Sequence, residues 1–275
     1  MVHVLAVDWS GKLKRAEEYL WLADVRDGRL VDLRNGFTRE RLTERLVALA
    51  EEEARTVVGL DFAFSFPRWW CDQRGWTNGP EVWAMMAEEG EVLLAACEEP
   101  FWGRPGKPNP HAADRLYRRT DRDAGMGAAK SIFQIGGAGA VGTGSIRGMP
   151  HLLTLAEQDF QIWPFAADGW PRVVEIYPRA LTGPVRKSSW TERHAYLRTR
   201  FPDQPTDLLE RAAGSEDAFD AAVSGLVMGA HEDQLHALTQ ASDPDYAIEG
   251  RIWRPGRGDL NHRSLPAARE KQPRR

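Results

Sequence analysis

Two acidic residues, Asp217 and Asp220, lie three positions apart in residues 215–223, a segment with the pattern of a helix. Residues at this spacing share one helix face. The residues that follow are small or apolar, so the helix should pack closely, and two carboxylates beside a buried surface repel each other unless a cation lies nearby. Mg²⁺ and Mn²⁺ prefer carboxylate oxygens, which makes a divalent metal the natural partner. The alternative is helix capping, because acids in a first turn complement the helix dipole.

Two further acids stand at the ends of predicted strands. Residues 2–8 form an apolar run that ends in Asp8, and residues 56–61 form another that ends in Asp61. An acid at the end of an apolar strand costs free energy unless it is used or paired. A turn or cap residue is the alternative for either aspartate alone. Two such strands, together with the acidic helix, favour one shared cluster of the four aspartates.

The order of the predicted elements would bring these acids together. The chain begins β-β-β-α-β, with Asp27-Gly28 as a hairpin turn and Thr38 as a helix cap. The fourth strand joins after a helical crossover, so we expect it to lie parallel to the first, with Asp8 and Asp61 at the same end of the sheet. Open α/β sheets bind ligands at that end. The predicted strands are residues 2–8, 19–25, 30–33, 56–61, 172–177 and 246–253, and the predicted helices are residues 38–55, 80–98, one that begins near Pro150, 189–200, 206–213 and 215–229.

The region from residue 62 to about residue 150 is predicted to be an aromatic-rich insertion, and residues 111–150 are predicted to be mostly loop. Residues 137–142 match GxGxxG, which would indicate a dinucleotide site if residues 131–135 formed a strand. We predict no helix opening inside this motif, because further glycines and Pro150 delay it. A loop over the metal site that presents backbone N–H groups to an anion is the interpretation that we favour.

Length and composition predict a single domain. The 275 residues are 42% hydrophobic and 28% charged, and we expect one domain over residues 1–254 followed by a polar, flexible tail over residues 255–275. No apolar run is long enough for a membrane span, and the N-terminus lacks the basic region of a signal peptide. The two cysteines, Cys71 and Cys97, cannot form a disulfide framework, so we expect a cytoplasmic protein without a membrane partner.

Charge is unevenly distributed along the chain. The formal net charge is −4, whereas a nucleic-acid-binding protein usually has a basic footprint. Residues 104–122 and residues 179–200 nevertheless each contain six Lys or Arg residues that could contact phosphates. A solvated helix face is the alternative for either run. The histidines show no metal-ligand spacing, so zinc is not predicted.

Three blocks of the sequence resemble one known family. They are residues 59–64 (GLDFAF), residues 174–179 (VEIYPR) and residues 216–221 (EDAFDA), and residues 248–253 also fit the family's ending. Together they resemble the domain of unknown function 429 family, described as predicted nucleases of the RNase H-like superfamily, over most of residues 2–253. The aspartate pair resembles that of the Holliday-junction resolvase branch. The resemblance implies an α/β fold with an RNase H-like mixed five-stranded sheet (β-β-β-α-β-α-β-α) and helices on both faces.

The resemblance also implies a site and a reaction. The implied metal ligands are Asp8, Asp61, Asp217 and Asp220. With two Mg²⁺ or Mn²⁺ ions bound to these residues, the protein would hydrolyse a phosphodiester in a nucleic acid or nucleotide substrate. One metal would activate water, and the other would stabilise the leaving oxygen. Glu175 would join this catalytic shell or orient a ligand. The alternative for Glu175 is an ion pair with Arg179 or another arginine.

Three residues near these acids are further candidates for substrate contact. Arg179 could hold a phosphate bidentately or lie on the surface. Trp9 could stack on a base, although a place in the core is the alternative that we favour. Lys12 is the last residue of the segment 8–12, which resembles the phosphate loop of actin-like and sugar-kinase proteins. A nucleotide-phosphate enzyme is therefore one alternative function. A non-catalytic RNase H-like binding module is the second alternative.

Overall fold

The structure is a computed structural model, and it describes residues 2–110, 115–123, 129–166 and 168–256. The predicted flexible tail therefore lies outside the described residues from position 257 onward. Within the described residues, no helix is both long enough and apolar enough to cross a membrane.

The described residues form six strands and ten α-helices. The strands are β1 (His3–Asp8), β2 (Trp21–Arg26), β3 (Arg29–Arg34), β4 (Thr56–Leu60), β5 (Gln161–Ile162) and β6 (Arg172–Glu175). The helices are α1 (Arg39–Glu52), α2 (Arg68–Arg74), α3 (Gly79–Ala96), α4 (Gly142–Glu157), α5 (Pro178–Thr182), α6 (Trp190–Arg200), α7 (Thr206–Ala213), α8 (Glu216–Gly229), α9 (Glu232–His236) and α10 (Tyr246–Glu249).

All six strands belong to one mixed sheet with the order β3-β2-β1-β4-β6-β5. The first three strands form an antiparallel meander, and β4 lies parallel to β1 with Val7 opposite Leu60. Strands β6 and β5 continue the parallel half. The predicted mixed α/β sheet and the parallel pairing of β1 with β4 are thus confirmed. The connection through α1 explains this direction, because parallel neighbours need a crossover.

Helices cover both faces of the sheet, as predicted. Along β1, Leu5 and Val7 face a core shared with α1, α3 and α4, whereas Val4 and Ala6 face a second core formed with α7 and α8. Successive side chains of a strand point to opposite faces. Burial on both faces therefore requires the continuous apolar run of this strand.

The prediction of a five-stranded sheet was wrong at its edge. The additional strand β5 has only two residues, which is too short for a periodic pattern. The predicted C-terminal strand was also wrong, because this segment forms the short helix α10 followed by a single bridge between Ile252 and Glu175. The N–H of Trp253 donates to the Glu175 carbonyl oxygen at 2.8 Å.

Helix α4 begins eight positions before Pro150, which lies in the helix interior, so the predicted loop was wrong over residues 142–150. Glycines of this helix are packing positions, among them Gly148, which we interpreted as a helix breaker. A Cβ atom at Gly142 would lie 1.9 Å from the Ile132 carbonyl oxygen, and one at Gly148 would lie 2.7 Å from the Phe62 ring. The helix therefore does open inside the GxGxxG motif, contrary to the prediction. Residues 131–135 form no strand, so the dinucleotide-binding unit is not present there.

Helix α4 also carries a partly buried histidine whose titration should affect stability. The His151 ring lies 2.9 Å from the Thr43 hydroxyl, and burial lowers the pKa of His151 to about 4. The unfolded chain then binds a proton that the folded chain excludes, so stability falls as the pH drops from about 6.5 towards 4. Between pH 7 and pH 5, the wild type should lose about 2 kcal/mol of its free energy of unfolding through this histidine. His151→Gln should not show this loss.

Urea unfolding of both proteins at the two pH values measures this effect. His236→Gln, which changes an exposed histidine on α9, is the matched control and should lose stability as the wild type does. An unchanged pH dependence in His151→Gln would contradict the prediction.

Candidate active site

The ends of β1 and β4 place two aspartates side by side. Asp8 is the last residue of β1, and Asp61 follows the last residue of β4. The Asp61 N–H donates to the Val7 carbonyl oxygen at 3.1 Å, which ties the two strand ends together. Asp8 is 9% exposed, and Asp61 is partly buried at the wall of a cleft. The parallel pairing thus brings both carboxylates to one edge of the sheet.

Helix α8 supplies the other two aspartates, Asp217 from its first turn and Asp220 three residues later. Ser215 caps this helix as predicted, accepting a hydrogen bond from the Ala218 N–H at 3.0 Å. The helix packs closely on the sheet, because a Cβ atom at Gly225 would lie only 3.4 Å from that of Ala6. This close approach holds Asp217 and Asp220 near the end of β1.

Burial is the largest influence on the pKa of each of the four carboxylates, and neighbouring acidic charges add to it. Burial raises the pKa of Asp8 well above its usual range, and the charges of Asp61, Asp220 and Asp217 raise it further. Burial and then Asp220 likewise raise the pKa of Asp61 well above its usual range. Burial raises the pKa of Asp220 to about 6 and also raises the pKa of Asp217. Keeping these acids ionised therefore costs free energy, which a cation would offset.

Lys187 is the cation of this cluster. Its ammonium group donates to Oδ2 of Asp220, whereas Oδ1 of Asp220 is buried without a hydrogen-bond partner among the described residues. Burial works against the charge of Lys187, but Asp220, Asp8 and Asp61 outweigh burial and raise its pKa. The sequence marked Lys187 only as one member of a basic run, and no local pattern there indicates this contact.

Glu175 lies in a separate ion-pair network. Its two oxygens accept hydrogen bonds from the Arg118 guanidinium at 2.5 and 2.8 Å, and the Phe64 N–H donates to Oε2 at 3.1 Å. Arg118 also donates to Asp121 at 2.9 Å. Burial raises the pKa of Glu175, and Arg118 opposes this shift. The ion pair left open by the sequence is therefore present, but its partner is Arg118 and not Arg179.

A cleft of about 730 Å³ opens beside Asp61. The start of α4 and the loop after β1 contribute to its walls. Its charged lining residues are Lys12, Asp61, Arg104, Arg118, Asp121, Lys130, Arg147 and Glu175. Apart from the buried Arg118 network, most of these charges are positive, which suits an anionic ligand.

The three predicted substrate residues have different positions. Trp9 is 8% exposed and packs between two aromatic rings, so it is a core residue, as we favoured. Lys12 lines the cleft, with its ammonium nitrogen 2.9 Å from the centroid of the Tyr19 ring. Arg179 is exposed, donates to the Val185 carbonyl oxygen at 3.2 Å and lies outside the cleft lining.

The carboxylates of the site are suitable ligands for a hard metal ion, but they are not already arranged around a metal position. Within the described part of the chain, no group of three or more His, Cys, Asp or Glu side chains is close enough to hold a metal ion. The carboxylate oxygens and the unpartnered Oδ1 of Asp220 nevertheless suit Mg²⁺ or Mn²⁺. Because Lys187 engages the other oxygen of Asp220 and the acids form no ready metal site, a bound metal requires a rearrangement of these side chains. Mg²⁺ or Mn²⁺ binding stays a prediction.

Known proteins add no evidence for this chain, because no protein-family model, no curated protein and no solved structure matches it. The resemblance to the domain of unknown function 429 family therefore stays a prediction. The residues of the site carry the evidence for function.

Proposed function

We propose that this chain is a metal-dependent phosphodiester hydrolase with an RNase H-like fold. The observation that carries the proposal is the gathering of buried carboxylates with raised pKa values at the ends of β1 and β4 and at the start of α8. The strand order, in which β1 joins the antiparallel meander to the parallel half, and the helices on both faces support the RNase H-like fold. The three sequence blocks of the family resemblance agree with this proposal.

Asp8, Asp61 and Asp220 would hold the divalent ion, with Asp217 beside them. The unfavourable ionisation of these acids favours cation binding, because a divalent ion offsets their mutual repulsion and their loss of hydration. A bound ion would supply activated water and stabilise the charge on the leaving oxygen. The carboxylates themselves would hold the ion beside the cleft that Asp61 lines.

The cleft supports a phosphate-containing substrate. Lys12, Arg104 and Lys130 line it beside Asp61, so they can attract and orient a polyanion near the acids. A strand of nucleic acid or a nucleotide has this chemistry. The local positive charge compensates for the acidic composition of the whole chain, which would otherwise repel such a substrate.

Removal of one acid tests the proposal. We expect Asp61→Asn to lower cleavage by about 100-fold or more, because loss of a direct ligand should exceed the 10–100-fold cost of losing an outer partner. Calorimetric titration with Mn²⁺ measures binding, and single-stranded, duplex and branched nucleic acids and free nucleotides serve as substrates. Asp233→Asn, at an exposed position on α9, is the matched control and should retain both properties.

The possible outcomes separate the alternatives. Hydrolysis of ATP without cleavage of a phosphodiester would indicate the nucleotide-phosphate enzyme. Nucleic-acid binding without any turnover would indicate a binding module. Absence of Mn²⁺ binding at millimolar concentration would contradict the proposed hydrolase.

A further inference from the structure

Lys187 brings a positive charge into the carboxylate cluster. Its ammonium group pairs with Oδ2 of Asp220, and the side chains of Lys187 and Asp220 are only 20% and 10% exposed. The charge of Lys187 also acts on Asp8 and Asp61. One side chain thus provides the positive charge that three acids share.

The backbone of Lys187 is held in place by a buried arginine. Arg193 is 6% exposed, and its guanidinium donates both to the Lys187 carbonyl oxygen and to the Ala213 carbonyl oxygen just before α8. This contact joins the loop that carries Lys187 to the segment that leads into α8. The ammonium group is therefore delivered to Asp220 by an anchored backbone, while its flexible four-carbon stem leaves the group free to move.

We propose that Lys187 is a positioning residue that holds the carboxylate cluster together without metal and leaves Asp220 when a divalent ion binds. This inference rests on the proposed function. The described carboxylates form no ready metal site, and the ammonium group covers one oxygen of Asp220 while the other has no partner. A metal ion that binds Asp220 would therefore lie beside the Lys187 ammonium group, and the two cations would repel each other at this carboxylate.

Competition predicts that removal of the ammonium group strengthens metal binding. Two cations that use one carboxylate exclude each other, so each weakens the apparent affinity of the other. We expect Lys187→Met to bind Mn²⁺ about 10-fold more tightly than the wild type, within the usual range of coupling between two sites. A residue with only a structural role would instead weaken metal binding when it is replaced.

Calorimetric titration with Mn²⁺ of the full-length wild type and three variants tests this expectation. Lys187→Arg retains a positive charge and should bind as weakly as the wild type. Lys12→Met removes a cation that acts on Asp217 but does not contact Asp220, so its affinity should rise much less. An equal rise in Lys12→Met and Lys187→Met would show a general charge effect and overturn the proposal.

A second measurement uses the unaltered protein, in case Lys187→Met does not fold. Amine acylation of the wild type, followed by peptide mass spectrometry, reports the accessibility of Lys187. We expect Mn²⁺ to increase labelling of Lys187 at least about 5-fold, the lower end of typical site coupling, with Lys14 as an exposed reference. Unchanged labelling under saturating Mn²⁺ would overturn the proposal.

Different results would contradict the displacement of Lys187 and the proposed function. The wild type could bind Mn²⁺ while neither the Mn²⁺ affinity of Lys187→Met nor the labelling of Lys187 increases. The proposed displacement of Lys187 would then be wrong, and the proposed hydrolase function would still stand. If neither the wild type nor any variant binds Mn²⁺, the proposed function fails, and the displacement fails with it.

Discussion

Replacement of Arg118 by methionine is expected to lower the free energy of unfolding by about 3–5 kcal/mol. The Arg118 side chain is 2% exposed and pairs with Asp121 and Glu175, whose side chains are each 3% exposed. Removing the guanidinium leaves two buried carboxylates without their cation, whereas the methionine fills much of the vacated space. Urea unfolding at neutral pH measures the loss.

An adjacent arginine provides the matched control. Arg119 pairs with Asp243 at 2.6 Å, but its side chain is 44% exposed, so Arg119→Met should cost less than about 1 kcal/mol. In a second comparison, Glu175→Gln combined with Arg118→Met should recover part of the loss, because it removes one of the unpaired charges. A cost below 1 kcal/mol for Arg118→Met alone would show that the network does not stabilise the fold as proposed.

The same network connects stability to the candidate active site. Glu175 accepts the Phe64 N–H close to Asp61, and Arg118 donates to the Glu249 carbonyl oxygen near the C-terminal end of the described chain. The network thus ties β6, residues 115–123 and α10 to the loop that follows β4. We expect Glu175 to act as a support for this loop, so Arg118→Met should reduce cleavage even where the protein remains folded.

Replacement of Asp8 by asparagine is expected to abolish metal binding and cleavage while it stabilises the folded protein. Burial and three neighbouring carboxylates raise the pKa of Asp8 well above its usual range, so its ionised form destabilises the fold. Asparagine has nearly the same shape and no charge. We expect a gain of at least about 1 kcal/mol at pH 8, because an uncharged amide is buried at a lower cost than an ionised carboxylate.

The pH dependence of this gain identifies its cause. Because the pKa of Asp8 is higher in the folded than in the unfolded chain, the folded state binds more protons between the two values, and stability falls as the pH rises through this window. The difference between Asp8→Asn and the wild type should therefore be larger at pH 8 than at pH 5. Urea unfolding at both values measures it, with Asp233→Asn as an exposed control.

Opposite results would separate a structural from a functional role. If Asp8→Asn were less stable than the wild type at pH 8, Asp8 would be a structural hydrogen-bonding residue. Enhanced stability together with lost Mn²⁺ binding is the pattern of a functional site that is maintained at the expense of folding free energy.

Local patterns in the sequence were sufficient for the framework of the site. The continuous apolar runs that end at Asp8 and Asp61 predicted two buried strands, and the helical crossover between them predicted their parallel pairing. Ser215 and the aspartates three apart predicted the first turn of α8. These features depend on periodicity, capping and chain connectivity, which act over short stretches of sequence.

Contacts between distant residues were decided only by the tertiary structure. Arg118 and Glu175 are 57 positions apart, and Lys187 and Asp220 are 33 positions apart, so no local pattern selects these partners from the many charged residues. The glycines after residue 142 likewise looked like helix breakers, because only the packed structure shows that the Phe62 ring occupies the space beside Gly148.

The sequence by itself thus determined that the four aspartates stand at strand ends and on one helix turn, because these positions follow from local periodicity. Only the tertiary structure decided that Lys187 joins this cluster and that Glu175 belongs to Arg118. The physical reason is that the pairing of a buried charge depends on which side chains the folded chain brings within a few ångströms, whatever their separation in sequence.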